Sequence, residues 1–301
     1  MANLRDIRRR IKSIKNTAQI TRAMQLVAAS KMKRAQDQAI AGRAYAELLN
    51  QVLVNLKAQT DEEAHPLFQT PEEGGKELVI LMTTDKGLCG GLNTNLLRLV
   101  AENTGPDAVF ITVGNKGRAY LVRTKRELLA DFHVKDPVDF ADTKQVSKFA
   151  MDKFLDGGFS SVKVAFTNFV NTIKQVPVLE TLLPISPSDL GRDKDFVGMG
   201  GDSEPGAPAE AGAPSGGGYL FEPSVSSVLN SILPQYVNNQ VFQMALESRA
   251  SEHSARMVAM KSATDNAKQI IKDLTLEYNK QRQAAITNEL LEITTAMKAL
   301  E

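Results

Sequence analysis

The sequence has 301 residues and a formal net charge of +1; that balance excludes a polyanion binder by composition, and the length allows one or two domains. A single cysteine, Cys89, excludes an internal disulfide and suits a reducing compartment, and with only three histidines beside it no structural zinc site or other metal site is expected. The N-terminus has no apolar signal core and no apolar run approaches membrane-spanning length, so a soluble chain is expected, one that touches a membrane only through other proteins.

From Asn3 to Lys57 there is no proline, and Gly42 is the one glycine. Leu4, Ile7, Ile11, Ile14, Ala18, Thr21, Gln25, Ala28, Met32, Ala35 and Ala39 recur at spacings of three and four. That rhythm belongs to a helix laid along a partner helix. Its small members from Ala18 onward let two backbones approach closely. Residues 1–34 carry ten Lys/Arg (Arg5, Arg8, Arg9, Arg10, Lys12, Lys15, Arg22, Lys31, Lys33, Arg34) against the one acid Asp6. A basic helix can meet nucleic acid, but it has no aromatic before Tyr45, and a solvated or protein-facing collar is the plainer reading.

Residues 58–76, rich in Glu, Pro and Gly, read as a linker. The pattern then changes. Glu77–Thr84 is a short apolar run that suits a buried strand, and Asp85–Asn93, DKGLCGGLN, leads from it to a helical stretch at Thr94–Glu102. A strand at Ala108–Val113, a turn at Gly114–Gly117 and a short basic helix follow, then a helix at Phe140–Leu155. Val162–Val170 and Pro177–Pro184 read as a hairpin turning near Asn171. Alternating strands and helices predict a small α/β domain over 76–188. Residues 189–218 read as a disordered insert whose Gly-, Pro- and Ala-rich part is 198–218, too poor in aliphatic residues to bury apolar area.

Residues 219–301 form the C-terminal segment: a short extended piece at Tyr219–Pro223, a helical prelude at Ser224–Leu233, a break or kink at Pro234, then a long helix. From Glu247 to Leu300 there is neither Pro nor Gly. Met257, Met260, Thr264, Ala267, Ile271, Leu274, Tyr278, Gln281 and Ala285 repeat the three/four spacing. At the α-helical rise the first helix, 1–57, runs roughly 80 Å and the second roughly 100 Å. The expected fold is therefore an α/β central domain plus a long antiparallel two-helix coiled coil formed by the N- and C-terminal helices, with the C-terminal helix overshooting by about two to three turns.

Catalytic chemistry is not evident. The DKGLCGG loop lacks the Gly-Lys-Ser/Thr ending and the GxGxxG spacing, so a tight strand-to-helix turn is the plain reading and a phosphate cradle the sharper one. Cys89 has no basic cluster or histidine beside it to activate a thiol, and His65, His133 and His253 are scattered. No paired acids, triad order or cofactor motif is seen. Near the far end, Arg282 and Gln283 with Thr287 and Glu289 place polar groups one to two turns apart, suited to gripping carboxylates or carbonyls of a surrounding partner.

Three ordered blocks carry a family likeness over nearly the whole chain. Ile20–Lys31, ITRAMQLVAASK, resembles the N-helix signature of the gamma subunit of F-type ATP synthase. DKGLCGGLN resembles that family's central-domain loop; Ala250-Ser251-Glu252, Ala255-Arg256-Met257, Asn266-Ala267 and Arg282-Gln283-Ala284 resemble its C-terminal pattern. The resemblance implies a non-catalytic rotor stalk, one copy per complex, threaded through a hexamer of alpha and beta subunits and footed on the epsilon subunit and the c-ring. It implies no cofactor, no nucleic acid and membrane contact only through the c-ring; with no targeting peptide in view, a bacterial complex on the cytoplasmic face of the inner membrane is expected. By position, Arg282 and Gln283 match residues that hold a beta-subunit loop; Thr287 and Glu289 lie in the same zone, Met24 matches a coupling position, and Tyr219 and Glu222 fall in the foot. Thr295-Ala296-Met297 departs from the family's usual Gly-Ala, and the insert has no cysteine for a chloroplast-type thiol switch.

Overall fold

The computed structural model describes residues 4–57, 65–69, 75–185 and 224–300. Their chain order is α1 (Leu4–Lys57), β1 (Lys76–Met82), α2 (Leu92–Asn103), β2 (Val109–Val113), α3 (Asn115–Thr124), β3 (Leu128–Phe132), α4 (Phe140–Leu155), β4 (Phe159–Phe169), β5 (Gln175–Leu183) and α5 (Val225–Leu300). The chain divides into two units, residues 1–28 with 257–301 and residues 29–256. The α/β core and the two long helices are as the sequence led us to expect. The expected insert at 189–218, Tyr219 and Glu222 lie outside the described residues.

In the larger unit the strands form one sheet in the order β3-β2-β1-β4-β5. The first four are parallel and β5 returns antiparallel to β4 as a hairpin. Parallel strands covered on both faces must be apolar throughout rather than alternating, and β1 and β2 are buried along their centres. One face, through Val79, Leu81, Phe110 and Ala165, packs against Leu96 and Val100 of α2 and Leu121 of α3. The opposite face, through Leu78, Ile80, Val109, Ile111, Val164 and Phe166, packs against Val146 and Phe154 of α4, Ala39 and Leu53 of α1, and Val237 and Met244 of α5. The stretch 29–57 of α1 and the stretch 225–256 of α5 are thus core helices here.

Strand β3 has no counterpart in the sequence reading. It is an edge strand of five residues whose burial alternates, and Leu-Leu-Ala-Asp-Phe lacks the β-branched residues that mark strands. Pro234 lies inside α5, which continues through it as helix, so of the expected break or kink the break is absent. The proline forfeits one backbone bond, and burial of Leu233, Tyr236 and Val237 on the sheet side of the same helix holds the two segments together. Within the expected linker, Leu67 is a core residue and its carbonyl accepts from Ile185 N at 2.9 Å. One glycine is sterically obligatory: Gly114 has φ 103°, and a Cβ there would lie 2.2 Å from the Thr83 carbonyl oxygen.

The smaller unit contains the first 25 residues of α1 and the last part of α5. Arg8 donates to the Tyr278 hydroxyl at 2.7 Å, and the Thr21 and Thr264 hydroxyls lie 2.7 Å apart. Rising numbers on one helix meet falling numbers on the other, so the pair is antiparallel. Ile7, Ala28, Met260, Thr264 and Ala267 are buried, and Ile11, Ile14, Ala18, Thr21, Ile271, Leu274 and Tyr278 are half-buried between exposed neighbours. The seam is therefore the stripe of threes and fours read from the sequence.

Candidate partner-binding site

Among the described residues, pairing ends where α1 begins. Since Arg8 sits opposite Tyr278, Leu4 is level with about residue 282 at one residue of rise per residue. Gln281 is the last half-buried residue of α5, and every residue from Arg282 to Lys298 is exposed. The unpaired end therefore spans about 25 Å, longer than the two to three turns expected. The shorter figure assumed that the two helices start level; the Arg8–Tyr278 pairing shows that they do not.

This end is not uniformly polar. Ile286, Leu290, Ile293 and Met297 are 50%, 58%, 54% and 65% exposed, and they recur at spacings of four, three and four, which stacks them on one side of the helix. At about 100° per residue, Arg282 and Glu289 flank one edge of that stripe, and Gln283 and Thr287 flank the other. Four of the residues singled out from sequence thus fall on the rim of one apolar strip. Among the described residues none offers a hydrogen bond or ion pair to the side chains of Arg282, Gln283 or Glu289. The Thr287 hydroxyl donates to the Gln283 carbonyl at 3.0 Å, within its own helix. Met24 is set apart from them on α1, half-buried, between exposed Ile20 and Val27.

The basic start is partly committed. Arg8 stacks over the Tyr278 ring, 5.5 Å from its centroid, besides bonding its hydroxyl, and Arg9 pairs with Asp6 at 3.1 Å. In the larger unit Lys31 pairs with Asp136 at 2.7 Å.

A second polar cluster lies at the carboxyl ends of β1 and β3. The Asp85–Gly91 loop is tied to its own domain. Asn93 donates to Thr84 Oγ1 at 2.7 Å and to Cys89 Sγ at 3.4 Å, and Arg256 of α5 donates to the carbonyls of Lys86 and Gly87 at 3.2 and 3.4 Å. Cys89 is buried. A loop that turns two carbonyls toward an arginine supports the tight-turn reading over a phosphate cradle, because a phosphate needs amide N–H groups there.

Arg249, about two turns earlier on α5, donates to the Val134 carbonyl at 2.7 Å and to Glu252 at 2.8 Å, and reaches Asp85 at 3.5 Å. Glu252 also holds Arg256 at 2.8 Å. Burial pulls the Arg249 pKa down, but the charges of Glu252, Asp85 and Asp136 outweigh it and leave it raised. Asp136 Oδ2 lies 3.3 Å from His253 Nε2, a close contact off the best hydrogen-bond line, and 2.7 Å from Lys31 Nζ. The His253 imidazole first and the Lys31 ammonium second hold the Asp136 carboxyl well below the usual carboxylate range. By sequence His253 is an ordinary histidine and Asp136 carries no signal, because its partners lie more than a hundred positions away in either direction.

Among the described residues no group of three or more His, Cys, Asp or Glu is placed to hold a metal ion, and no helix is long and apolar enough to cross a membrane.

Comparison with known proteins bears on this arrangement. A family model described as ATP synthase matches residues 3–300. The ATP synthase gamma chain of Akkermansia muciniphila is 52% identical over the full length of both chains. That of Opitutus terrae is 49% identical over 99% of each. Among solved structures, the rotor of the Euglena gracilis mitochondrial ATP synthase has a similar fold, with a TM-score of 0.65 at 19% identity, covering 94% of this chain and 98% of that one. A chain of the central stalk and c-ring structure of Tetrahymena thermophila mitochondrial ATP synthase matches with a TM-score of 0.56 at 26% identity, over 81% of this chain and 99% of that one. The chain belongs to the ATP synthase gamma chain family.

Proposed function

We propose that this chain is the central rotor stalk of an F-type ATP synthase and that the unpaired end of α5 is its grip on the catalytic subunits. Family membership over residues 3–300 supports the first part. The second rests on one observation: an exposed apolar strip, Ile286 to Met297, rimmed by Arg282, Glu289, Gln283 and Thr287. A strip of this kind gains free energy when it is covered, and its rim groups supply direction. Arg282 and Gln283 hold a loop of one beta subunit, Arg282 by forked bonds to a carboxylate and Gln283 by its amide. Thr287 and Glu289 extend that contact, and Met24 meets the same partners from α1. Tyr219 and Glu222 meet the c-ring and the epsilon subunit in the foot.

A single chain inside a ring of alternating alpha and beta subunits presents a different side to each catalytic site. As it turns, each site is biased in sequence toward one of its conformations by differential contact, which is the only way a bound partner can shift an equilibrium. Nucleotide chemistry resides on those partners, so the chain is itself non-catalytic. Ion flow through the c-ring supplies the torque, and the chain is held at the cytoplasmic face of a bacterial inner membrane by that ring. The rival reading, a basic coiled-coil protein that binds nucleic acid, draws no support from the family, and Arg8, Arg9 and Lys31 have partners within the chain.

The test is the double variant Arg282→Ala with Gln283→Ala in the assembled complex. Loss of one charge-assisted contact predicts a fall of roughly tenfold in coupled ATP synthesis with the chain's own unfolding midpoint unchanged. Undiminished synthesis would remove the assigned role.

A further inference from the structure

Asp136 joins three parts of the larger unit. Its Oδ2 accepts from Lys31 of α1 at 2.7 Å and touches His253 of α5 at 3.3 Å. Two residues before it, the Val134 carbonyl accepts from Arg249 of α5 at 2.7 Å. The β3–α4 loop is therefore held to α5 at two points four residues apart on that helix, and to α1 at a third. The loop is braced from the other side as well. Lys135 N donates to Asp142 Oδ2 at 3.2 Å, and Asp139 caps α4 by accepting from Ala141 N at 3.1 Å.

The position of this cluster matters. Over most of the unit α1 and α5 meet the sheet through apolar side chains such as Ala39, Leu53, Val237 and Met244. Helix α5 adds neutral bonds from Ser251 to the Thr167 carbonyl at 2.9 Å and from Ser254 to the Thr172 carbonyl at 2.8 Å. Among the described residues, only at the Asp136 carboxylate does one charged side chain meet both helices. Apolar packing resists separation but is non-directional, and packed helices slide over one another in small shear steps. Charged hydrogen bonds are directional and lose strength steeply when bent. The cluster occupies the last two turns of α5 within this unit and the first turn of α1, since the unit spans 29–256. Both helices continue beyond it, so these turns receive whatever twist passes between the sheet and the rest of each helix.

We propose that Asp136 is a positioning residue that locks α1 and α5 to the sheet against shear, so that twist applied to the sheet domain reaches both helices without slippage. The inference rests on the rotor reading above and goes beyond it by naming where the torque crosses from sheet to helices. The Lys31 and His253 contacts act jointly, because they share one carboxylate oxygen.

The experiment uses the purified, assembled complex with a bead fixed to the sheet domain through Ile173→Cys, a turn position that is 86% exposed, while Cys89 stays buried. Asp136→Asn, Lys31→Met and the double variant are compared with the parent. Two quantities are read: hydrogen exchange over residues 134–136, and the angular variance of the bead with the catalytic sites stalled. Losing one charge-assisted bond predicts roughly tenfold faster exchange. It also predicts a wider angular variance in both single variants, with the double variant no wider than Asp136→Asn, because the two residues form one contact. Faster exchange with unchanged variance shows a merely structural bond and overturns the proposal, as does additive widening in the double variant. Should Asp136→Asn fail to assemble, Lys31→Met decides alone, since that side chain is 44% exposed and its loss leaves no buried charge behind it. A parent bead that does not turn on ATP refutes the rotor reading itself, whereas a turning bead with unaltered stiffness in the variants overturns this inference alone.

Discussion

Replacing Arg249 by methionine tests whether the buried charge cluster holds α5 in the domain. The arginine side chain is 10% exposed and that of Glu252 is 7% exposed, so neither is screened by bulk water. The substitution takes a charged donor from the Val134 carbonyl and one of two cations from Glu252; the other, Arg256 at 2.8 Å, remains. The 3.5 Å contact to Asp85 adds little, being long and partly open to solvent. A lost charge-assisted bond costs about 1.5–3 kcal/mol, and a half-stripped buried carboxylate brings the total to about 3–5 kcal/mol. Methionine recovers about 1 kcal/mol of this through its own apolar burial. The expected net is about 3 kcal/mol, or a fall of roughly 6–12 °C in the unfolding midpoint of a unit this size. Thermal unfolding followed by circular dichroism reads it directly. A second variant, Arg249→Met with Glu252→Leu, removes the stranded charge and is expected to regain part of the loss. A single variant within about 0.5 kcal/mol of the parent, or a double variant that is simply additive, would refute the assignment of this cluster as a cooperative buried network.

Gly114→Ala places a Cβ 2.2 Å from the Thr83 oxygen at a φ of 103°, so a loss of about 3 kcal/mol or more is expected in the denaturant midpoint. His65 is buried, its Nδ1 accepts from Leu67 N at 3.1 Å, and burial lowers its pKa despite the Asn230 side chain, which raises it. The neutral ring is thus the folded form: its contribution is complete above the unfolded pKa of about 6.5 and is lost as pH falls from there through the lowered folded value. His65→Gln flattens that slope in unfolding measurements between about pH 5 and 7. Leu290→Ser with Ile293→Ser alters two residues that are 58% and 54% exposed, so the free chain keeps its midpoint within about 0.5 kcal/mol while binding to the catalytic hexamer weakens by tenfold or more. Equal binding would show that the strip is not a contact surface.

What could be read in advance follows from what each feature depends on. The seam residues from Ile7 to Tyr278 announce themselves because a helix repeats every few positions, and every one expected to be covered is covered down to Gln281. Ala285, last of the same stripe, is exposed, because stripe periodicity says which side of a helix is apolar but not how far its partner extends. Strands β1, β2 and β4 were visible as short apolar runs, whereas β3 owes its existence to pairing with β2 rather than to its own residues. Arg282, Gln283, Thr287 and Glu289 stand out by chemistry and spacing; the apolar strip between them emerges only because α1 ends short of it and no described residue covers it. The Asp136 contacts were invisible for a different reason. Lys31, Asp136 and His253 are brought together by the sheet, and no local pattern encodes a meeting of three segments so distant in sequence.

The hydroxyl-to-hydroxyl bond between Thr21 and Thr264 has a use that the alanines around it lack. A seam of methyl groups looks much the same after one helix slips a turn along the other, so it alone leaves several alignments close in energy. A polar pair in such a seam penalises every alignment but one, at some cost in strength. The pair thus acts as a detent: the apolar positions beside it are free to vary over generations, while the two threonines keep the ends of the helices at fixed heights.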